Sequence, residues 1–361
     1  MPAREFRIMS TADPNSSRDP LRATALTLFI VIAVVLILVQ GRAILVPIAI
    51  AVVIWYIIVA LSQVIARLAV FGRTLPRSWC GAAAIGCVFL AWFMFVELIR
   101  QSIAAIQEAA PRYQERLDGL LQQGGDFLGL GAAPSLTQIS RDIDLTVVAE
   151  YFVSAATPIA FDGIMIFFYV VFLLVQQKYM APKLGAIVHA PARRQAIEGV
   201  IEEIHAEVRK YIGVMSFLAL VTGLVTYLVL TLVGIDFPIL WSVVIALFSF
   251  IPTIGTAFGI ILPAALAVLQ FGFGGAVAIV LATLGAAQIL LNNVAQPALM
   301  GRSLNLSPFL VLVTLSIWAS IWGIVGAILS VPITVAMAII FSRFPATRWV
   351  GVLLSSEGKA R

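Results

Sequence analysis

The chain has 361 residues, 61% of them hydrophobic and 11% charged, with a formal net charge of +5. Soluble domains carry about 25% charged residues, so this composition excludes an ordinary soluble protein and indicates an all-α polytopic integral membrane protein. Two cysteines seven apart in one apolar segment, Cys80 and Cys87, exclude a disulfide framework and offer no metal spacing.

Residues 1–22 are polar and read as a flexible cytoplasmic tail. The apolar run 23–39 is longer than a signal-peptide core, and no small-residue cleavage site follows it. Gln40-Gly41-Arg42 turns the chain into a second span, 43–61, and Arg67, Arg73 and Arg77 mark the next loop. The third span is 79–99, with Trp79 and Trp92 as interface anchors, so that 23–99 holds the first three transmembrane helices.

Residues 100–158 form an extracytoplasmic helical insertion. Ile99, Ile103, Ile106, Ala110, Tyr113, Leu117 and Leu120 follow a heptad spacing that extends the third span as an amphipathic arm. Pro111 is expected to break or bend it. The arm packs back on its own domain or meets a neighbouring subunit. Gly124, Gly125, Gly129, Gly131 and Pro134 predict a loop, and 144–156 a second short helix. The fourth span is 159–175, with Asp162 interfacial. Residues 176–211 form a cytoplasmic amphipathic region that carries both histidines, His189 and His205. There Ile197, Val200, Ile201, Ile204, Val208 and Ile212 mark one face of a helix, and Glu198, Glu202, Glu203 and Glu207 the other.

The C-terminal bundle, 212–342, opens with a fifth span at 212–233. From 237 to 342 the only charged residue is Arg302. Residues 238–270 are too long for one crossing and short for two. They read as a broken helix, a re-entrant hairpin or two short spans. A clean span follows at 275–291. Residues 308–340 are again overlong, with Gly323, Gly326 and Pro332 inside, and admit a helical hairpin. The count is about eight transmembrane segments, with broken or re-entrant helices in the C-terminal half. Residues 343–361 form a short basic tail. With eight crossings, 17 of the 23 Lys and Arg fall on the side of both tails and Arg302 on the other, placing N- and C-termini in the cytoplasm. The positive charge therefore reports membrane orientation, not nucleic-acid binding.

Two polar, proline-marked breaks, 251–255 and 292–297, interrupt the uncharged region. Irregular backbone in hydrocarbon is tolerated only where protein or a water-filled cavity satisfies it. Broken helices offer free main-chain ends that hold solutes in secondary transporters. The candidate substrate pathway is Pro252, Thr253, Gly255, Thr256, Gln288, Asn292, Asn293, Gln296, Pro297 and Asn305. The competing reading of the amides is helix-to-helix hydrogen bonding without a solute. Gly255 and Gly259 are read as a close-packing pair. No P-loop, HExxH or GxSxG motif occurs, so neither ATP-driven pumping nor hydrolysis has a carrier, and no catalytic, cofactor or metal-binding residue is assigned.

Three stretches carry a resemblance: Phe250-Ile251-Pro252-Thr253-Ile254-Gly255, the run from Asn292-Asn293 through Gln296-Pro297 to Ser307-Pro308, and Gly323-Ile324-Val325-Gly326 through Pro332. In order and spacing they resemble the signatures of the autoinducer-2 exporter family of permeases. The resemblance implies a bacterial inner-membrane transporter in the lipid bilayer, a homo-oligomer. Members are assigned to export of signalling molecules or to sodium/proton antiport. Where similar members carry a glutamate before the proline of the second signature, this chain has Gln296, which cannot exchange a proton. The expected function is export of a small polar solute, such as autoinducer-2 or a related metabolite, by a non-enzymatic secondary transporter or facilitator. The alternatives are a sodium/proton antiporter and an oligomeric membrane scaffold without transport.

Overall fold

A computed structural model describes residues 20–67, 76–127, 145–301, 307–344 and 347–355. The loop expected from Gly124 onward starts later, because the helix Arg77–Phe127 takes in Gly124 and Gly125; Gly129, Gly131 and Pro134, with Arg73, Arg302 and Asn305, lie outside the described residues. The described chain is helical: α1 Pro20–Gln40, α2 Arg42–Arg67, α3 Arg77–Phe127, α4 Leu145–Ile187, α5 Pro191–Val233, α6 Pro238–Phe248, α7 Ile254–Phe271, α8 Gly275–Leu290, α9 Pro308–Arg343 and α10 Arg348–Leu354. A π-helical turn, Leu291–Ala295, and a short helix, Gln296–Met300, continue α8. Seven described helices are long and apolar enough to cross a membrane, and Ala25–Gln40 and Pro238–Phe248 are shorter apolar helices.

The chain divides into two compact units, residues 1–45 and 46–361. In the first, the Gly41 N–H bonds the Ile37 carbonyl at 2.8 Å while its own carbonyl accepts from Leu45, so the four-residue spacing of α-helical bonds carries across the junction of α1 and α2. A side chain at Gly41 would collide with the Ile37 carbonyl.

In the second unit, Ala51 and Ile58 of α2, Ala84 of α3, and Ile166 and Val170 of α4 form one buried cluster. The helix α3 runs unbroken through Pro111. Proline removes one intrahelical bond. Just past Pro111, Arg112 and Tyr113 tie the arm to Asp236, which precedes α6. The expected separate helix at 144–156 joins the fourth span as the single helix α4. Likewise the amphipathic region and the fifth span join as α5, 43 residues long. Its buried Val208, Tyr211, Ile212, Met215, Leu218, Ala219, Thr222, Thr226 and Leu230 recur every three or four residues, the period of one helix face. Near the start of α5 the Tyr56 hydroxyl and His205 Nδ1 lie 2.7 Å apart, tying it to α2. At its end Gly234 adopts a left-handed conformation, φ 81°, and the N–H groups of Gly234 and Ile235 cap the Leu230 carbonyl.

Beyond α5 the chain twice reverses inside apolar sequence. A straight helix holds residues seven apart about 10 Å apart along its axis. Yet a Cβ on Gly255 would strike the Phe248 carbonyl, so α6 and α7 fold back on each other. Their open ends meet again: the Asp236 N–H donates to Gln270 Oε1 at 2.9 Å, and Gln270 Nε2 donates to the Gly234 carbonyl at 2.8 Å. The 11 residues of α6 span about 16 Å, too short to cross hydrocarbon about 30 Å thick.

The second reversal is at Gly323, φ 63° and ψ −142°, where α9 divides into arms 308–322 and 324–343. A side chain on Gly326 would strike the Trp318 carbonyl, eight residues back. A straight 36-residue helix would hold its ends about 54 Å apart. Instead the Ser307 N–H donates to the Leu354 carbonyl at 3.1 Å, while Gly351 packs against Ser342. Both overlong segments are therefore helical hairpins whose two ends lie together. The open ends of the first lie at the C-terminal end of α5. Those of the second lie near its N-terminal half, where Arg343 pairs with Glu203. The two hairpins thus enter from opposite ends of α5.

This alters one sequence expectation. Gly301 lies beside Lys210, and Met300 packs with Val208 and Tyr211. Gly301, where the continuation of α8 ends, therefore sits on the face where α9 ends, not on the opposite face as eight straight crossings require. Replacing two crossings by two hairpins leaves the number of crossings even.

Candidate functional site

The two hairpin tips meet. Ile251 and Phe248, at the first reversal, pack with Leu315, Ala319, Ala327 and Ile328 from both arms of the second. The first tip is tight. The N–H of Ile251 bonds the Phe248 carbonyl at 2.8 Å, that of Ile254 the Pro252 carbonyl at 2.7 Å, and that of Gly255 the Ile251 carbonyl at 2.9 Å. Several main-chain ends expected to be free for a solute are therefore spent within the turn. Thr253 carries the strain, with φ 62° in a region that favours glycine, and its side chain is exposed.

Beside the first tip, α7 and α8 share a polar seam. Gln288 is 3% exposed. Its side chain lies where Gly259 lacks one, which is the packing role expected of that glycine. The Asn292 side-chain amide donates to Gln288 Oε1 at 3.0 Å and to Thr256 Oγ1 at 2.9 Å. Both of its protons are thereby used on protein. The Thr256 hydroxyl accepts one of those bonds and keeps its own proton to donate, and Asn292 Oδ1 remains an acceptor. The π turn begins one residue before Asn292; such bulges widen a helix and break its hydrogen-bond ladder.

Of the sequence candidates, the structure brings Thr256, Gln288 and Asn292 into direct contact, with Gly255 buried at the adjacent tip. Pro252 is half-buried in the tip itself. Gln296 is half-buried one turn past Asn292. Asn293 and Pro297 are exposed on α8 and its continuation.

Two features escaped the sequence reading. One is tip-to-tip packing, since Ile251 and Leu315 are ordinary apolar residues until the chain reverses. The other is a polar clasp at the foot of the first hairpin. There the Asp236 carboxylate accepts from Arg112 at 2.9 Å and from the Tyr113 hydroxyl at 2.7 Å. Partial burial, then the Asp236 bond, pushes the Tyr113 phenol above its ordinary pKa. Next to the clasp, Ala105, Glu108, Ala109, Arg112, Asp236 and Phe237 line a cavity of about 320 Å³. No sequence pattern connects residues more than 120 positions apart, although Tyr113 already stood out in the stripe of the arm.

Relatives share this sequence over most of its length. AI-2 transport protein TqsA of Escherichia coli K12 is 24% identical over 288 residues, 79% of this chain and 83% of its own length. A Haemophilus influenzae protein named "Putative transport protein" is 27% identical over 280 residues, 74% of this chain and 78% of its own. A Borreliella burgdorferi protein of the same name is 29% identical over 244 residues, 66% of either chain. The AI-2E family transporter pattern matches residues 26–346, which include both hairpins and the polar seam between them. With that match running from the first apolar helix to the foot of the last, the chain belongs to the AI-2E transporter family.

Proposed function

We propose that this multi-pass bacterial membrane transporter exports a small, polar, uncharged solute across the inner membrane without ATP, as a homo-oligomer with both termini in the cytoplasm. The observation that carries the reading is the meeting of two helical hairpins from opposite ends of α5, beside a partly buried amide–hydroxyl seam. A passage closed at mid-depth by two tips needs only small displacements of those tips to admit a solute from one side. The seam offers neutral donors and acceptors in the Thr256 hydroxyl and Asn292 Oδ1, and the exposed Asn293 amide follows it in the chain. No acid lies between 237 and 342, so a neutral solute is favoured over cation exchange through this region. A relative named for AI-2 transport supports a solute of the autoinducer-2 class, a small polar signalling metabolite.

The test is efflux of labelled autoinducer-2 and related small polyols from proteoliposomes, beside a pH-sensitive dye under an imposed sodium gradient. Solute efflux without a dye response is expected. Asn292→Leu and Asn293→Leu should each lower efflux at least tenfold while the protein still inserts. Normal efflux in both would remove the seam from the pathway, and a dye response would favour antiport.

A further inference from the structure

The last described helix, α10, is short and lies against α9. Its seven residues measure about 10 Å, the spacing between two packed helices. It spans the two feet of the second hairpin. At its start, the Thr347 hydroxyl donates to the Phe341 carbonyl at 3.1 Å, on the foot of the second arm. At its end, the Leu354 carbonyl accepts from the Ser307 N–H at 3.1 Å, at the foot of the first arm. Between them Gly351 sits against Ser342, where a side chain would press on the backbone. A helix joining the feet of two membrane-inserted arms lies across them, so its axis runs along the membrane surface.

Its residues divide accordingly. Gly351 and Leu354 are buried against α9. Trp349 and Leu353, four apart and so on one face, are 64% and 60% exposed, and Phe344 and Phe309 at the two feet are exposed as well. Arg348 is exposed beside them. Left in water, four large apolar side chains at one level would form an adhesive patch. At the boundary between headgroups and acyl chains, the same set is stable. Tryptophan favours that depth, the apolar side chains dip inward, and an arginine meets phosphate-bearing headgroups.

We infer that α10 is an interfacial strap: it holds the feet of the second hairpin together and anchors them in the surface of the bilayer through Trp349 and Leu353. The occupant of its outer face is lipid. The level of the patch argues for this, because the feet of a membrane-inserted hairpin lie where the hydrocarbon ends.

Spin labels test this without any transport assay. In a Cys80→Ala, Cys87→Ala background, cysteines replacing Trp349, Leu353 or Arg348 are labelled one at a time. The protein is then placed in phosphatidylethanolamine–phosphatidylglycerol liposomes. Collision with oxygen, which partitions into lipid, is compared with collision with a water-soluble nickel chelate. The oxygen-to-nickel ratio is expected to be at least threefold higher at 349 and 353 than at 348. Equal, nickel-dominated ratios at all three positions would overturn the strap, because α10 would then stand in water. Labels at 349 and 353 shielded from both reagents, with spin–spin broadening that disappears on dilution with unlabelled protein, would overturn it in favour of a second copy on that face. The label at 353 repeats the reading should Trp349→Cys fail to fold.

Discussion

Two glycines at the heart of the bundle look alike in sequence and differ in what they face. Gly259 faces the tip of the Gln288 side chain, which can swing away, whereas Gly326 faces the Trp318 carbonyl, which cannot. Gly259→Ala is therefore expected to cost little, and Gln288→Ala on top of it should restore what is lost, because the clash disappears with the amide. Gly326→Ala should lower stability by about 1–3 kcal/mol or more, the range for forced overpacking, and no single side-chain truncation should rescue it. Thermal unfolding of the purified protein in detergent measures both. Equal losses from the two alanines would mean that the second hairpin is not as tightly closed as its geometry requires.

At the scale of elements, the hairpins explain a pattern that helices alone do not. Two stretches too long for one crossing, each with glycine and proline near the middle, turn back because a tight tip satisfies the backbone locally: Ile251, Ile254 and Gly255 all bond within the first turn. The tips then bury apolar surface against each other. Cysteines replacing Ile251 and Leu315, in the background lacking Cys80 and Cys87, should cross-link rapidly through a short bifunctional reagent. A control pair replacing Ile251 and Phe309, at the far foot of the second hairpin, should not. Failure of the first pair to react would show that the tips do not meet. The clasp at the foot of the first hairpin is a weaker element. Arg112 and Asp236 are both solvent-accessible, so their pairing contributes less than about 1 kcal/mol, and its value lies in orienting the α3 arm over that foot.

For the whole molecule, α5 acts as a ruler. The first hairpin opens at its C-terminal end and the second near Glu203 and Lys210, so the two feet lie on opposite faces of the membrane. Impermeant maleimide applied to intact spheroplasts should label a cysteine replacing Phe273 and leave one replacing Ser307 unlabelled until the membrane is permeabilised. Eight straight crossings require the reverse. Phe273→Cys protected and Ser307→Cys labelled would overturn the hairpin topology, whatever the transported solute.

Sequence alone determined the all-α membrane class, the break at 251–255 and the family, because hydropathy, proline and charge are local quantities that lipid punishes or rewards residue by residue; the other expected break, 292–297, is instead a π turn and short helix that continue α8, and the second reversal falls at Gly323. Sequence also marked Thr256, Gln288 and Asn292, since polar side chains stand out where almost nothing else is polar. Tertiary structure alone decided that 238–271 and 308–343 return to the face they left, and that Gly301 lies beside Lys210. It also decided that Arg112 and Tyr113 reach Asp236, and that Asn292 spends its amide protons on protein. Each of these depends on which distant segments touch. Ile251 and Leu315 hold no preference for one another until two reversals bring them together, and burial of surface between non-adjacent segments leaves no periodic trace in the chain.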